Sequence, residues 1–295
     1  MIAVAGATGY IGGLLAARLR QQGHEVRALA RSPERSPELA RIGCDVRTAD
    51  VLDRDSLDAA LDGVAIAYYL VHSMGRGSGD GFAERDNEGA ANFAAAAEAA
   101  AVRRVVFLGG LGEGSEHLDS RHATAATLRA GAVPVTYFRA AAVIGAGSES
   151  FRTVFYLVRR LPLMVTPKWV GTRTQPLAIG DALAYLSAAA DLRLPVDREI
   201  QLGGPDVTTY GGMIDELARA MGRRPPRRVI VPVLTPYLSS LWIGLVTPVD
   251  PGVARPLIEG LATETIVRDA SGMSLFEVEP TPLAESLRVA LPSGG

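Results

Sequence analysis

The chain has 295 residues, with 30 Lys plus Arg against 32 Asp plus Glu, for a net charge of −2. That balance gives no overall field for gripping nucleic acid or an anionic surface. Cys44 is the single cysteine, which rules out an intrachain disulfide and argues against a thiolate metal cluster; it reads as a core or loop thiol. The length suits one large α/β unit with a smaller attached region.

The chain opens on a short apolar run, with a strand predicted over Ile2–Ala5. Without a basic n-region it does not read as a signal peptide. No uninterrupted apolar run reaches the ~20 residues of a membrane helix, so the expected compartment is the cytoplasm. The run continues into Gly6-Ala7-Thr8-Gly9-Tyr10-Ile11-Gly12 and a helix over Ile11–Gln22. Strand, glycine turn and helix in that order form a phosphate cradle. The glycines admit the pyrophosphate close to backbone, and the helix N-terminus supplies N–H groups and a positive dipole end.

Further strands are predicted at Glu25–Ala30, Asp45–Thr48, Val64–Leu70, Arg104–Leu108 and Val133–Phe138. Helices are predicted at Asp55–Leu61, Gly81–Ala101, Ser120–Arg129 and Ser150–Arg160. This alternation predicts a parallel sheet covered on both faces. Beyond about residue 140 it fades. Leu161–Met164 and Thr166-Pro167 read as loop. Gln175–Ile179 reads as a strand entering a helix at Asp181, and Glu199–Leu202 as another strand before a Gly203-Gly204-Pro205 turn. Tyr210–Met221 reads as a helix and Arg223–Arg228 as a basic, proline-broken connection; the remainder reads as mostly helical. The apolar segment Val231–Val249 is broken by Pro232, Pro236 and Pro248. It reads as a buried helix pair or a cover over a pocket, with a membrane-surface role as the other reading. We divide the chain into a cofactor-binding core, residues 1–150, and residues 151–295, where the remaining sheet elements interleave with a smaller, mostly helical lobe.

A dinucleotide site that prefers NAD carries an acidic residue after the second strand to bind the ribose 2′-hydroxyl. Here Arg31 and Ser32 stand there instead, with Arg35 close behind. A guanidinium matches a 2′-phosphate, so the expected cofactor is NADP(H). Asp50, followed by Val51, is placed to accept from the adenine amino group, or equally to cap the helix over Asp55–Leu61. Leu70, Val71 and His72 end the fourth strand, where ligands sit in such sheets, and are expected to flank the cofactor.

On Gly6–Gly12, Arg31, Asp50 and the Gln175–Asp181 segment, the chain resembles the atypical, extended branch of the short-chain dehydrogenase/reductases. NmrA-like NAD(P)H-binding proteins belong to that branch, as do isoflavone-reductase-like proteins and an accessory subunit of respiratory complex I. The resemblance spans nearly the whole chain and implies a Rossmann-type doubly wound sheet. Active members carry a serine and then Tyr-x-x-x-Lys after the fifth strand. Here the serine position falls on Gly109 or Gly110, tyrosine is replaced by His117, and lysine by Arg121. A histidine near its ordinary pKa is a competent acid or base at neutral pH, whereas arginine stays charged and can only orient or hold ribose hydroxyls.

His117 and Arg121 are therefore the catalytic pair expected for reduction of a small, largely apolar carbonyl or enone, with His72 and His122 as spare proton donors. Phe151, Phe155, Tyr156, Met164, Trp169, Tyr237, Leu241 and Trp242 would wall the pocket or form the lobe's own core. Lys168, Arg173 and Gln175 would add polar contacts. The competing readings are a non-catalytic NADP(H) sensor or assembly protein, and a redox-neutral isomerase or epimerase with bound cofactor.

Overall fold

The computed structural model describes residues 1–71, 82–231 and 262–292. In chain order the first half runs β1 (Ile2–Ala5), α1 (Tyr10–Gln21), β2 (Val26–Ala30), α2 (Pro37–Arg41), β3 (Asp45–Thr48), α3 (Arg54–Leu61) and β4 (Ile66–Tyr69). It continues with α4 (Phe82–Ala99), β5 (Arg104–Gly110), α5 (Glu116–Ala130), β6 (Val135–Ala140) and β7 (Val143–Ile144). The second half has α6 (Glu149–Arg160), β8 (Leu163–Thr166), β9 (Arg173–Thr174), β10 (Leu177–Ala178), α7 (Ile179–Ala188) and β11 (Glu199–Leu202). It ends with β12 (Thr208–Thr209), α8 (Tyr210–Ala220), β13 (Arg227–Ile230) and α9 (Leu283–Ala290).

Seven strands form the central sheet in the order β11-β6-β5-β4-β1-β2-β3, every neighbouring pair parallel. The order reverses between β1 and β4, the switch point where doubly wound sheets open a crevice at their carboxyl ends. Strand alternation sorts side chains onto two faces. Ile2, Val4, Tyr68, Val106 and Phe138 face a core shared with Leu15 and Leu19 of α1 and Tyr185 and Leu186 of α7. Ala3, Ala5, Tyr69, Phe107 and Tyr137 face a second core with Leu57 of α3, Phe93 of α4 and Leu128 of α5. The alanines of α4 let it lie close to the sheet: Ala90, Ala96 and Ala97 are fully buried. Cys44 is buried, and desolvation holds its thiol above the usual range.

A third core belongs to the lobe, where Phe151, Leu157 and Val158 of α6 meet Met213, Ile214 and Leu217 of α8 and Leu287 of α9. The lobe is interleaved with the sheet, because β11 and α7 lie between its elements in sequence. Asp181 at the start of α7 accepts from the backbone N–H and the hydroxyl of Thr281, at 2.7 and 2.9 Å, and so fastens the C-terminal segment.

Three local expectations change. Helix α5 begins at Glu116 and not at Ser120, because Ser115 caps it by accepting from the Leu118 N–H. The segment after Arg31 forms a turn of 3-10 helix over Pro33–Arg35 and then α2, each with proline in its first turn. The prolines near residues 162 and 226 read as loop, yet they flank two strands: β8 and β13 pair in parallel, with Val165 opposite Val229.

Candidate functional site

The turn after β1 depends on glycine at two places. Gly6 has φ +86°, and a Cβ there would stand 2.6 Å from the Leu70 carbonyl oxygen. At Gly12 a Cβ would be driven into the Gly6 carbonyl. The backbone closes through Gly9 N–H to Gly6 O at 3.0 Å. Gly9 then serves as the N-cap of α1 with no side chain over the helix end and no acidic residue in the first turn. Thr8 and Gly9 are exposed, Tyr10 and Ile11 half-buried, and Gly12 buried. The first-turn amides have no helical acceptor and carry the positive end of the dipole. A pyrophosphate fits this cradle.

At the end of β2, Ala30 is followed directly by exposed Arg31 and half-buried Ser32, with no carboxylate between strand and turn. Beyond β3, Asp50 does not cap α3. That role falls to Asp53, which accepts from the Ser56 N–H. Asp50 instead accepts from the Leu52 N–H at 3.1 Å, while its own N–H donates to the Ser56 hydroxyl. Asn92 of α4 donates to the Val51 carbonyl at 3.1 Å. The turn is thus clamped from both sides, and Asp50 is half-buried. Neither Ser56 nor Asn92 stands out in the sequence.

At the carboxyl end of β4, the Leu70 N–H donates to Ala5 O. Leu70 and Val71 thereby lie beside the glycine turn. His72, and with it Tyr237, Leu241 and Trp242, lies outside the described residues, as does the Trp169 side chain. Phe151 and Met164 belong to the lobe's own core, and Phe151 stacks on Phe155. Gln175 is structural, bridging Gly204 O and the Val267 N–H.

His117 and Arg121 lie one helical turn apart at the start of α5. Arg121 is fully buried. It donates to the Val71 and Leu108 carbonyls, at the carboxyl ends of β4 and β5, and its guanidinium stands 4.4 Å above the Phe107 ring. The sequence gives this side chain to the nicotinamide ribose; the structure turns it to main-chain carbonyls. His117 departs from its expectation too. Burial, with the Arg121 charge adding to it, pushes its pKa down to about 4, so it is neutral at pH 7. His117 therefore does not titrate near neutrality.

Both glycines at the end of β5 lie against side chains, Gly110 against Leu118 and Gly109 against Tyr137 of β6. A Cβ at Gly109 would meet its ring at 2.8 Å, so the phenol fills that space. Its hydroxyl lies 2.9 Å from His122 Nδ1, and burial raises its pKa to about 12. His122 Nε2 lies 2.9 Å from Gly112 O, and Arg139 donates to the same carbonyl. Arg139 is also paired with Glu199 at 2.8 Å. His122 is a brace for the loop after β5. Gly145 and Gly147, after β7, lie against the Tyr10 ring, and a Cβ on either would collide with it. Their G-x-G spacing is the one signal in the sequence that could have found them.

Residues 6–147 match a family model described as NAD(P)H-binding. The match covers just under half of the chain. Outside it, the comparisons reach more of the chain at lower similarity. A ceramide reductase of Caulobacter vibrioides is 26% identical over 231 residues, which cover 76% of this chain and 72% of that protein. A 3-diazoavenalumate denitrifying reductase of a Streptomyces species is 38% identical over 114 residues. The aligned part spans 36% of each chain, so little of that enzyme's length is matched. Among solved structures, the Citrobacter triphenylmethane reductase complexed with NADP(H) has a TM-score of 0.76 at 20% identity, covering 99% of this chain and all of that one. The likeness is one of fold. No described helix is long and apolar enough to cross a membrane.

Proposed function

We propose that this protein is an NADP(H)-dependent oxidoreductase that reduces a small, largely apolar carbonyl or enone-type acceptor. The observation that carries the reading is the convergence of two features on one crevice. The glycine cradle opens at the carboxyl end of β1, and the His117–Arg121 turn of α5 stands over the carboxyl ends of β4 and β5. Two relatives named as reductases support it, as does a structural neighbour described with NADP(H).

Gly6, Gly9 and Gly12, with the first-turn amides of α1, hold the pyrophosphate. Arg31 and Ser32 take the 2′-phosphate, and Asp50 and Val51 the adenine. Leu70 and Val71 line the path to the nicotinamide, which supplies a hydride when bound. Arg121 sets the carbonyls of β4 and β5 and contributes fixed positive charge. His117, neutral at working pH, donates a hydrogen bond to the acceptor's oxygen as hydride reaches its carbon, and water supplies the proton that completes the alcohol or enol.

The test is NADPH oxidation against ketones, enones and quinones. At least one acceptor should accelerate it, and His117→Ala should lower kcat/KM by roughly 10²-fold. For the wild-type protein, kcat/KM should stay flat between about pH 6 and 8. A loss of rate as pH rises through that range would show that a protonated imidazole is the donor after all. The same residue links pH to stability. Its pKa falls from about 6.5 unfolded to about 4 folded, so unfolding takes up a proton between those values. Its contribution is complete above pH 6.5 and is lost as pH falls toward 4.

Arg31→Asp should weaken NADPH binding at least tenfold more than NADH binding, as isothermal titration would measure. Equal losses would remove the assignment of the 2′-phosphate to Arg31. A non-catalytic NADP(H)-binding role is favoured by one observation, Tyr137 and Leu118 standing against the two glycines, Gly109 and Gly110, of the serine position. Cofactor binding with no acceleration by any acceptor would establish that role instead.

A further inference from the structure

The β8–β13 pair presents an outward face unlike the rest of the surface. In β8 the side chains alternate, with Leu163 and Val165 exposed and Met164 and Thr166 buried. The parallel register sets Leu163 beside Arg227 and Val165 beside Val229, and residues so paired share a face. Leu163, Val165 and Val229 are 53%, 43% and 51% exposed. Exposed apolar side chains clustered in this way mark a contact surface, whereas scattered ones do not.

The charge around them is one-sided. Residues 155–168 and 219–231 contain no Asp or Glu, although the chain as a whole is slightly acidic. Arg159 lies in the last turn of α6, and Arg223, Arg224 and Arg227 lead into β13; all four are exposed. The fold brings the two groups together: Arg223 donates to the Arg159 carbonyl at 2.6 Å, and the Arg227 N–H donates to Pro162 O. Arg228 is half-buried and neutralised by Asp215 at 2.6 Å, and Arg219 pairs with Glu216. A strip of exposed aliphatic side chains beside these four arginines, which have no carboxylate partner among the described residues, complements a surface that is negative on the outside and hydrocarbon beneath.

We propose that this face docks the protein reversibly on an anionic phospholipid bilayer, with Leu163, Val165 and Val229 entering the headgroup layer and Arg159, Arg223 and Arg227 meeting lipid phosphates. The interaction is peripheral and needs no spanning segment.

Flotation with vesicles tests it. Vesicles of phosphatidylglycerol with phosphatidylcholine should carry the full-length protein, and those of phosphatidylcholine alone should not. Binding should fall steeply with salt. Arg223→Gln with Arg227→Gln should lower the partition coefficient by about 20-fold, about fivefold per arginine. Leu163→Ser with Val229→Ser should lower it comparably at low salt. NADPH affinity should be unchanged in both double variants, which shows that each is folded.

A reporter cysteine separates the other occupants. With Cys44 buried, an environment-sensitive dye on Val229→Cys should shift to the blue only when anionic vesicles are added. A dye already shifted without lipid would mean that the chain itself, or a second copy, covers the face, and analytical ultracentrifugation would tell these two apart. Either result overturns the proposal. So does equal flotation with neutral vesicles, no flotation at all, or flotation that neither double variant reduces.

Discussion

Gly12→Ala should reduce NADPH affinity by about 100-fold or more and destabilise the protein by about 1–3 kcal/mol, the usual range for forcing volume into a closed site. The added methyl would be driven into the Gly6 carbonyl and stand 3.1 Å from the Ala7 Cα, both backbone positions with no rotamer to yield. Relief requires the turn and the first turn of α1 to part. That displaces the amides on which the pyrophosphate depends, and misplacement by about 1 Å at such a site costs about two orders of magnitude. Gly13→Ala is the matched control. Its Cβ would meet Ala7 O at 3.2 Å, a tight but adjustable contact, and alanine is the better helix former by about 1 kcal/mol. Titration calorimetry and urea unfolding of the two variants measure both quantities. A Gly12 variant that binds NADPH as Gly13→Ala does would remove the cradle from the site.

Arg104→Met should cost about 3–5 kcal/mol, the largest stability loss expected from any single substitution here. Arg104 opens β5 and is 2% exposed. Its guanidinium donates to Asp197 at 2.5 Å and to the carbonyls of Ala189, Asp191 and Leu194 at 2.8–2.9 Å. Truncation strands three carbonyls at once, and each such loss costs more than the intact bond contributes; the Asp197 carboxylate, 37% exposed, falls back on water. Arg104→Lys should recover little, because an ammonium cannot span acceptors arranged around a planar fork. The midpoint of urea denaturation reads the effect. A loss below about 1 kcal/mol would mean that water replaces the guanidinium.

The parts of the site legible in the sequence are those encoded by neighbours along the chain. Gly6–Gly12 follow a strand and open a helix, and Arg31 follows the next strand directly; local order places both. The alternation of Ile2 and Val4 with Ala3 and Ala5 likewise gives the two faces of the sheet from period alone. The parts that could not be read depend on distant partners. The His117 pKa is set by burial and by Arg121, and Arg121 in turn is aimed by carbonyls 50 and 13 residues away. Gly109 or Gly110 reads as the serine position, but only the fold shows Tyr137, on the next strand, against the first and Leu118 against the second. Asp50 reads as a possible cap of α3, but the Ser56 amide donates to Asp53. The β8–β13 pair joins segments 64 residues apart across proline-rich sequence, so local signals argue against the pairing that long-range register makes.

The seventh strand has a consequence for how the molecule is made. β11 pairs with β6 but is encoded some 60 residues later, after the whole of α6 to α7. The acceptors of Arg104 lie in the same late stretch, at residues 189–197. At translation speeds of about 5–20 residues per second, the nascent chain spends several seconds with the outer edge of β6 unpaired and a buried-type guanidinium still in water. During that interval the first 150 residues expose a hydrophobic strand edge able to pair with another chain. Vectorial synthesis therefore ends in one late closure, and a stall before residue 202 would leave an aggregation-prone fragment in place of a small working domain.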